Sequence, residues 1–202
     1  MTFRKKLYLV SSNPGKLKEF LAIANVEAAG LELELLPGFS ELPSFPEDAL
    51  TFAENSAGKA LHASAFTEHA VCADDSGLVV PTLGGGPGVL SARYAGERAT
   101  SVENIAKLLN ALEGKSGKQR SAFFVCALAV ARKGRIRAVI TNRVDGEILE
   151  TPRGSGGFGY DPVFYFPPLR KTFAEISGTE KNLHSHRGKA FLRLLDVLPG
   201  ML

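Results

Sequence analysis

The chain has no tryptophan, and among its 202 residues there are only two cysteines and two methionines. Cys72 and Cys126 both lie in apolar runs, so they are expected to pack as small hydrophobes rather than to pair. Long hydrophobic runs are missing too. None approaches the roughly 18–20 residues a membrane span needs, and the longest, residues 122–131, reads as one buried strand. The basic start Met1-Thr2-Phe3-Arg4-Lys5-Lys6 is followed by an apolar stretch only at residues 7–10, too short for the core of a signal peptide. An excess of one charge is also absent. The formal net charge is +3, the basic residues are scattered, and no basic stripe interleaved with aromatics argues for nucleic acid. Residues 115–120 read as a solvated loop. There is no internal repeat and no low-complexity tract. A soluble, cytoplasmic protein without membrane or nucleic-acid partners is expected.

What is present is ordinary globular composition, 45% hydrophobic and 22% charged, with apolar residues along the whole length. That suffices for one domain or two close lobes and argues against disorder. Residues 7–11 read as a strand. Asn13 then caps a helix with Pro14 at its first position, and Leu17, Phe20, Leu21 and Ala24 form its buried stripe. A second strand is expected near residues 31–36 and a proline-broken loop over 37–50. Thr51-Phe52-Ala53-Glu54 is a capping box opening a helix to about Phe66, on which Asn55, Lys59 and His62 form one polar stripe. Residues 71–75 read as a strand, followed by a turn at Ser76-Gly77 and a short strand over 78–80. A second capping box at Thr100 starts a helix ending at Gly114. Residues 121–131 and 136–141 read as a hairpin turning at Lys133-Gly134. A short strand over 164–166 and a last helix from near Ser185, burying Ala190, Leu194, Leu195 and Leu198, complete an α/β pattern with a mixed sheet.

Four constellations could carry chemistry. Ser11-Ser12-Asn13-Pro14-Gly15-Lys16 feeds a strand into a capped helix start, where free N–H groups, hydroxyls and Lys16 suit an anion. It lacks the glycines and Lys-Ser/Thr ending of a Walker A loop, and read alone it is equally a plain strand–helix turn. In Asp74-Asp75-Ser76-Gly77 adjacent carboxylates point to opposite faces of a strand, so only one can serve a given pocket, as a Mg²⁺ ligand or an activator of water. The alternative is turn chemistry. The glycine-rich loop around Phe158-Gly159-Tyr160-Asp161 offers rings and close backbone approach to a planar ligand, or else folds its aromatics onto the core. Lys181 with Ser185-His186-Arg187 suits a ligand rich in acceptor oxygens, but His184 and His186 alone make a poor zinc site.

The order and wording of these motifs, together with Thr51-Phe52-Ala53-Glu54-Asn55 and the run Pro87-Gly88-Val89-Leu90-Ser91-Ala92-Arg93-Tyr94-Ala95-Gly96, closely resemble the inosine and xanthosine triphosphatases. These are pyrophosphatases of noncanonical purine nucleoside triphosphates, and the likeness runs over residues 7–195. The resemblance implies an elongated, two-lobed α/β fold around a long mixed sheet with flanking helices, so that residues 1–202 form a single domain with the active cleft between its lobes. It also implies Mg²⁺ dependence, a homodimer, and hydrolysis of ITP, dITP and XTP to the monophosphate and pyrophosphate. By motif, Ser11, Ser12, Asn13, Pro14, Gly15 and Lys16 would bind the triphosphate. Asp75 would be general base and metal ligand, with Glu47 the second metal acid in a register uncertain by one residue. Ser76, Phe158, Gly159, Tyr160, Asp161, Lys181, His186 and Arg187 would contact the substrate. Pro46-Glu47-Asp48-Ala49-Leu50 departs from the family's acidic pair and Thr-Gly, His184 replaces an apolar residue, and Pro81-Thr82 stands where an acid is common. A nucleotide sensor without hydrolysis is the rival reading, and the retained Asp74, Asp75 and Lys16 argue against it.

Overall fold

The computed structural model describes residues 5–11, 13–27 and 30–201; Ser12 lies outside the described residues. In chain order the elements are β1 (Lys5–Val10), α1 (Pro14–Glu27), β2 (Leu31–Leu35), α2 (Phe52–Ala63), β3 (Ala70–Val79), α3 (Ser101–Ala111), β4 (Ser121–Arg132), β5 (Arg135–Ile148), β6 (Phe164–Phe166), β7 (Lys171–Thr172), α4 (Gly178–His184) and α5 (His186–Val197). The strands form a seven-stranded sheet in the order β2-β1-β3-β4-β5-β6-β7. β1 pairs in parallel with β2 and β3, and β6 runs antiparallel to β5 and β7, so the sheet is mixed as the sequence led one to expect.

The chain divides into two compact units, residues 1–75, 126–142 and 187–202 against residues 76–125 and 143–186. In the first, alternation along β1 sends Leu7 and Leu9 to one face and Tyr8 and Val10 to the other. Leu7 and Leu9 join a cluster with Phe20 and Ile23 of α1 and Phe191 and Leu194 of α5. Tyr8 and Val10 pack with Ala60 and Ala63 of α2, whose small side chains permit close approach. Parallel β1 and β3 are therefore covered on both faces, as parallel strands require. The second unit buries Leu78, Leu108, Phe164 and Phe173 in a core of its own.

Two departures from the sequence reading have plain causes. β3 is continuous through Ser76-Gly77 instead of turning there. Leu78 beyond it is fully buried, and its N–H donates to Ser91 Oγ at 2.9 Å, so packing overrides the turn preference of Ser-Gly. β5 runs to Ile148 rather than stopping near 141. Arg143, Asp145 and Glu147 look like a loop but occupy its exposed face, while Val144 and Ile148 point inward. The short α4, capped where Ser177 Oγ accepts from Glu180 N–H at 3.1 Å, was not anticipated.

Candidate active site

In the first unit, β3 sets Asp74 and Asp75 on opposite faces of the sheet. Asp74 shares its face with Cys72 and meets α1 and α5; Asp75 shares its face with Val71 and Ala73 and meets α2. The Asp74 carboxylate forms an ion pair with Lys16, stands 3.5 Å from Arg187 Nε and accepts the Cys126 thiol at 3.2 Å. Arg187 is also ion-paired with Glu19, so two cations and two anions balance, with Asp74 and Arg187 buried and Lys16 and Glu19 partly exposed. Burial alone would raise the Asp74 pKa, but the charges of Lys16 and Arg187 and the bonds from Lys16 and Cys126 outweigh it and hold the carboxyl below the usual range. The same surroundings hold Arg187 firmly charged, Asp74 and Glu19 overcoming its burial. The Cys126 thiol is raised by burial and by Asp74, so it stays protonated as a donor.

Asp75 is in the opposite state. Burial pushes its carboxyl up to about 6, aided by the negative charge of Glu47 and opposed by the hydrogen bond from Asn55 and by Lys16 and Lys59. Asn55 Nδ2 donates to Asp75 Oδ2 at 3.0 Å. Lys59 Nζ lies 2.6 Å from Glu47 Oε1 and donates to the Asp74 carbonyl at 3.3 Å. The polar stripe of α2 thus faces this site, and Glu47 is the residue of the 46–50 segment that reaches it. Asp75 and Glu47, coupled electrostatically and with Lys59 paired to Glu47, supply carboxylate oxygens of the kind hard divalent cations take, with remaining positions left to water or phosphate. No group of three or more His, Cys, Asp or Glu suited to a metal occurs among the described residues.

The turn before α1 is built as expected, with a consequence for anion binding. Asn13 Oδ1 accepts from Gly15 N–H at 2.9 Å and Lys16 N–H at 3.4 Å, and Asn13 N–H donates to Ser11 Oγ at 3.1 Å. The cap thus uses amides that an anion would otherwise take. Pro14 is the first residue of the helix.

The second unit holds the other predicted residues. Lys181 Nζ is 2.6 Å from Asp161 Oδ2, both buried, and lies 4.5 Å from the centre of the Phe158 ring. Asp161 Oδ2 also accepts Phe158 N–H at 2.9 Å. Gly157 (φ +70°) precedes this turn, and a Cβ there would strike the Asp161 carboxylate, so glycine is required on two counts. Gly159 (φ +61°) faces open space. Phe158 is 36% exposed. Tyr160 is buried in the core cluster with its hydroxyl donating to Ser91 O at 2.9 Å, an anchor of the loop rather than an exposed ring. His186 stacks on Phe124, with centroids 4.7 Å apart and planes 11° apart. Ser76 is half-buried in β3.

Sequence reasoning gave no site role to Asn55, Glu19 or Cys126. For Asn55 the signal was its place on the polar stripe with Lys59, and for Glu19 its spacing three residues after Lys16. Cys126 carried no signal, because a buried thiol reads as core.

The sequence matches the Ham1 family over residues 7–197. It is 51% identical to a dITP/XTP pyrophosphatase of Geobacillus kaustophilus, covering 94% of this chain and 92% of the relative. It is 46% identical to one of Acinetobacter baumannii, covering 91% and 90%. Among solved structures, a HAM1 protein from Coxiella burnetii superposes with a TM-score of 0.86 at 40% identity, covering 97% of this chain and 99% of that one. The Staphylococcus aureus Ham1 protein gives 0.86 at 37%, covering 98% and 100%. With family, relatives and fold in agreement over nearly its whole length, this chain belongs to the Ham1 family.

Proposed function

We propose that this chain hydrolyses noncanonical purine nucleoside triphosphates (ITP, dITP and XTP) to the monophosphate and pyrophosphate, with Mg²⁺ as cofactor. The carrying observation is the pair Asp74–Asp75, one carboxyl locked between cations and the other poised to exchange a proton near pH 6. Relatives bearing the dITP/XTP pyrophosphatase name supply the substrate class.

Asp75 and Glu47 are the residues that would hold the cation, and their mutual repulsion is what a divalent ion would relieve. When bound, Mg²⁺ neutralises charge on phosphate oxygens and lowers the pKa of coordinated water. Asp75 acts as general base, taking a proton from the water whose oxygen attacks the α-phosphorus. The bond from that phosphorus to the bridging oxygen breaks, and pyrophosphate leaves. In this reading Lys16 and Lys59 stabilise the leaving charge, and Ser11 and the turn at residues 13–16 bind the phosphates, which would compete with Asn13 for the Gly15 and Lys16 amides.

Phe158 offers its ring to the base. Lys181, His186 and Arg187 are the donors suited to the 6-keto oxygen of hypoxanthine or xanthine, and Asp161 suits the N1–H. Adenine reverses both groups, which leaves buried partners unmatched at about 1–3 kcal/mol each. Gly159 contributes a main-chain contact that a Cβ would not block and Ser76 a hydroxyl donor, and Tyr160 holds the loop in shape.

The protein acts as a homodimer in the cytoplasm. Exposed Leu90 (47%) and Val102 (76%) support an apolar contact surface. No helix of the described residues is long and apolar enough to cross a membrane. A pyrophosphate-release assay with Mg²⁺ over a panel of triphosphates tests the proposal. ITP, dITP and XTP should yield pyrophosphate and monophosphate far faster than ATP; release of orthophosphate, or no turnover of any of them, overturns it.

A further inference from the structure

The segment carrying Glu47 is tied to α2 on both sides of that residue. On the N-terminal side, the His62 ring lies 2.9 Å from the Pro43 carbonyl, and since a carbonyl only accepts, the ring nitrogen donates. His62 is packed between Phe45 and Phe66, at 5.8 and 5.3 Å between ring centres. The Phe45 ring lies against Gly58, where any Cβ would collide with it. On the C-terminal side, Ala49 N–H donates to Asn55 Oδ1 at 3.0 Å, and Asn55 Nδ2 lies 3.4 Å from Ala49 O. Asn55, only 1% exposed, spends the rest of its donor capacity on Asp75. The Glu47 segment has prolines at 37, 43 and 46, and its only regular element among the described residues is the short 3-10 turn Phe39–Glu41. One carboxamide thus touches Asp75 directly and the main chain two residues from Glu47.

We infer that Asn55 and His62 are positioning residues which, through Ala49 and Pro43, fix where Glu47 stands relative to Asp75. The inference rests on the proposed role of those two carboxylates as cation ligands. His62 reaches the pair only through Pro43, and Asn55 both orders Ala49 and bonds the Asp75 carboxylate, so each acts by ordering a ligand before the cation arrives. Groups that orient metal ligands in this way typically alter metal affinity 10–100-fold.

The test uses the full chain and Mn²⁺ as probe, with free Mn²⁺ read by electron paramagnetic resonance without nucleotide, beside the Mg²⁺ activation constant and kcat with ITP. Asn55→Ser should weaken Mn²⁺ binding about 10–100-fold and raise the Mg²⁺ activation constant similarly. At saturating Mg²⁺, kcat of His62→Leu, which does not touch Asp75, should recover to within about threefold, a split that general loss of structure would not produce. Asn55→Ser, which also frees the general base, keeps a residual loss. Combined with Glu47→Gln, His62→Leu should add almost nothing further to the loss of Mn²⁺ affinity, because it acts only through the ligand already removed. His62→Leu, which keeps the packing on Phe45 and Phe66 and releases only Pro43, should weaken Mn²⁺ binding by less than Asn55→Ser does and takes over if Asn55→Ser does not fold. Wild-type Mn²⁺ affinity in folded variants, or full additivity with Glu47→Gln, overturns the inference while leaving the proposed activity standing. So does a wild type that hydrolyses ITP yet holds no Mn²⁺ without nucleotide, because a pre-set pair binds on its own. A wild type inactive on every triphosphate overturns the proposed function and the inference with it.

Discussion

Asp74 and Asp75 are consecutive on β3, yet the first is held below the usual carboxylate range by Lys16 and Arg187 and the second is pushed up to about 6. The pleat alone separates them: one side chain enters the face covered by α1 and α5, the other the face covered by α2. Two identical residues side by side are thereby given different surroundings, which in the proposed mechanism leaves one to hold cations and one to exchange protons.

Substitution should separate those tasks. Asp75→Asn should leave circular dichroism unchanged and cut the rate of pyrophosphate release about 10²–10⁴-fold, as loss of a general base does. Asp74→Asn leaves Lys16 and Arg187 buried with less counter-charge. It should destabilise by about 3–5 kcal/mol in urea unfolding, the size expected when one partner of a buried pair is removed. A folded Asp75→Asn protein retaining more than about a tenth of the parent rate contradicts the general-base role.

The two carboxyls also give stability opposite pH dependences in metal-free buffer. The folded pKa of Asp74 is depressed, so its contribution is present above the unfolded value near 3.9 and is lost as pH falls through the folded one. The folded pKa of Asp75 is raised, so its contribution is full below about 3.9 and is lost as pH rises through about 6. Urea unfolding in chelator should therefore find metal-free Asp75→Asn more stable than the parent at pH 8, by on the order of 1–3 kcal/mol, with the difference gone near pH 4. A difference of the same size at both pH values contradicts the raised pKa.

The same strand shows how far the sequence could be read. Alternation in residues 5–10, the caps at Asn13, Thr51 and Thr100 and the stripe on α2 are local signals, and they fix the elements that carry the site. Family motifs pointed to Asp75, Glu47, Asp161 and Lys181. Which atoms meet was not legible. Lys16 and Arg187 stand 171 positions apart, yet converge on Asp74 because α1 and α5 cover the same face of the sheet. Tyr160 read as a second ring for a ligand, and only packing reveals that it anchors the loop on Ser91. Local propensity likewise could not tell that Ser76-Gly77 stays extended when the residues beyond it are buried.

Glycines of the 154–159 loop should respond unequally. Gly159→Ala meets open space and should cost only the left-handed backbone strain, about 1–2 kcal/mol, with kcat/KM for ITP little changed. Gly157→Ala adds a collision with the Asp161 carboxylate, which holds Lys181 and the Phe158 amide. It should lower kcat/KM for ITP at least tenfold more than Gly159→Ala does, measured on protein shown folded by circular dichroism. Equal effects of the two substitutions contradict a specific role for the Asp161–Lys181 pair.

Assembly is checked by mass. One chain weighs 21.6 kDa, so light scattering of the proposed homodimer should return about twice that at micromolar concentration. Leu90 and Val102 are the exposed apolar residues expected at the contact, and Leu90→Glu with Val102→Glu should shift the mass toward the single chain. A parent protein that is already monomeric removes the dimer from the proposal.

The division of labour between phosphate and base is the last test, and the structure sharpens it. Lys16 answers a group that every triphosphate carries, so Lys16→Ala should lower kcat/KM for ITP and ATP by a similar factor. Phe158→Ala and Asp161→Asn act where the base is read. Asp161→Asn should lower ITP far more than ATP and shrink the ratio by one or two decades, about the size of one lost charged hydrogen bond, whereas Phe158→Ala removes stacking that both purines share and should lower both. Arg187 stands between these cases. Motif places it with the base, yet its guanidinium is held by Glu19 and shares Asp74 with Lys16. Because removing either cation changes the carboxylate that positions the other, Lys16→Ala and Arg187→Ala should combine non-additively, with a coupling of about 0.5–3 kcal/mol in RT ln(kcat/KM). Additive losses would separate the two cations functionally, and Arg187→Ala would then be read by its ITP-to-ATP ratio alone. A ratio that falls assigns it to the base, and a ratio that holds assigns it to the phosphates.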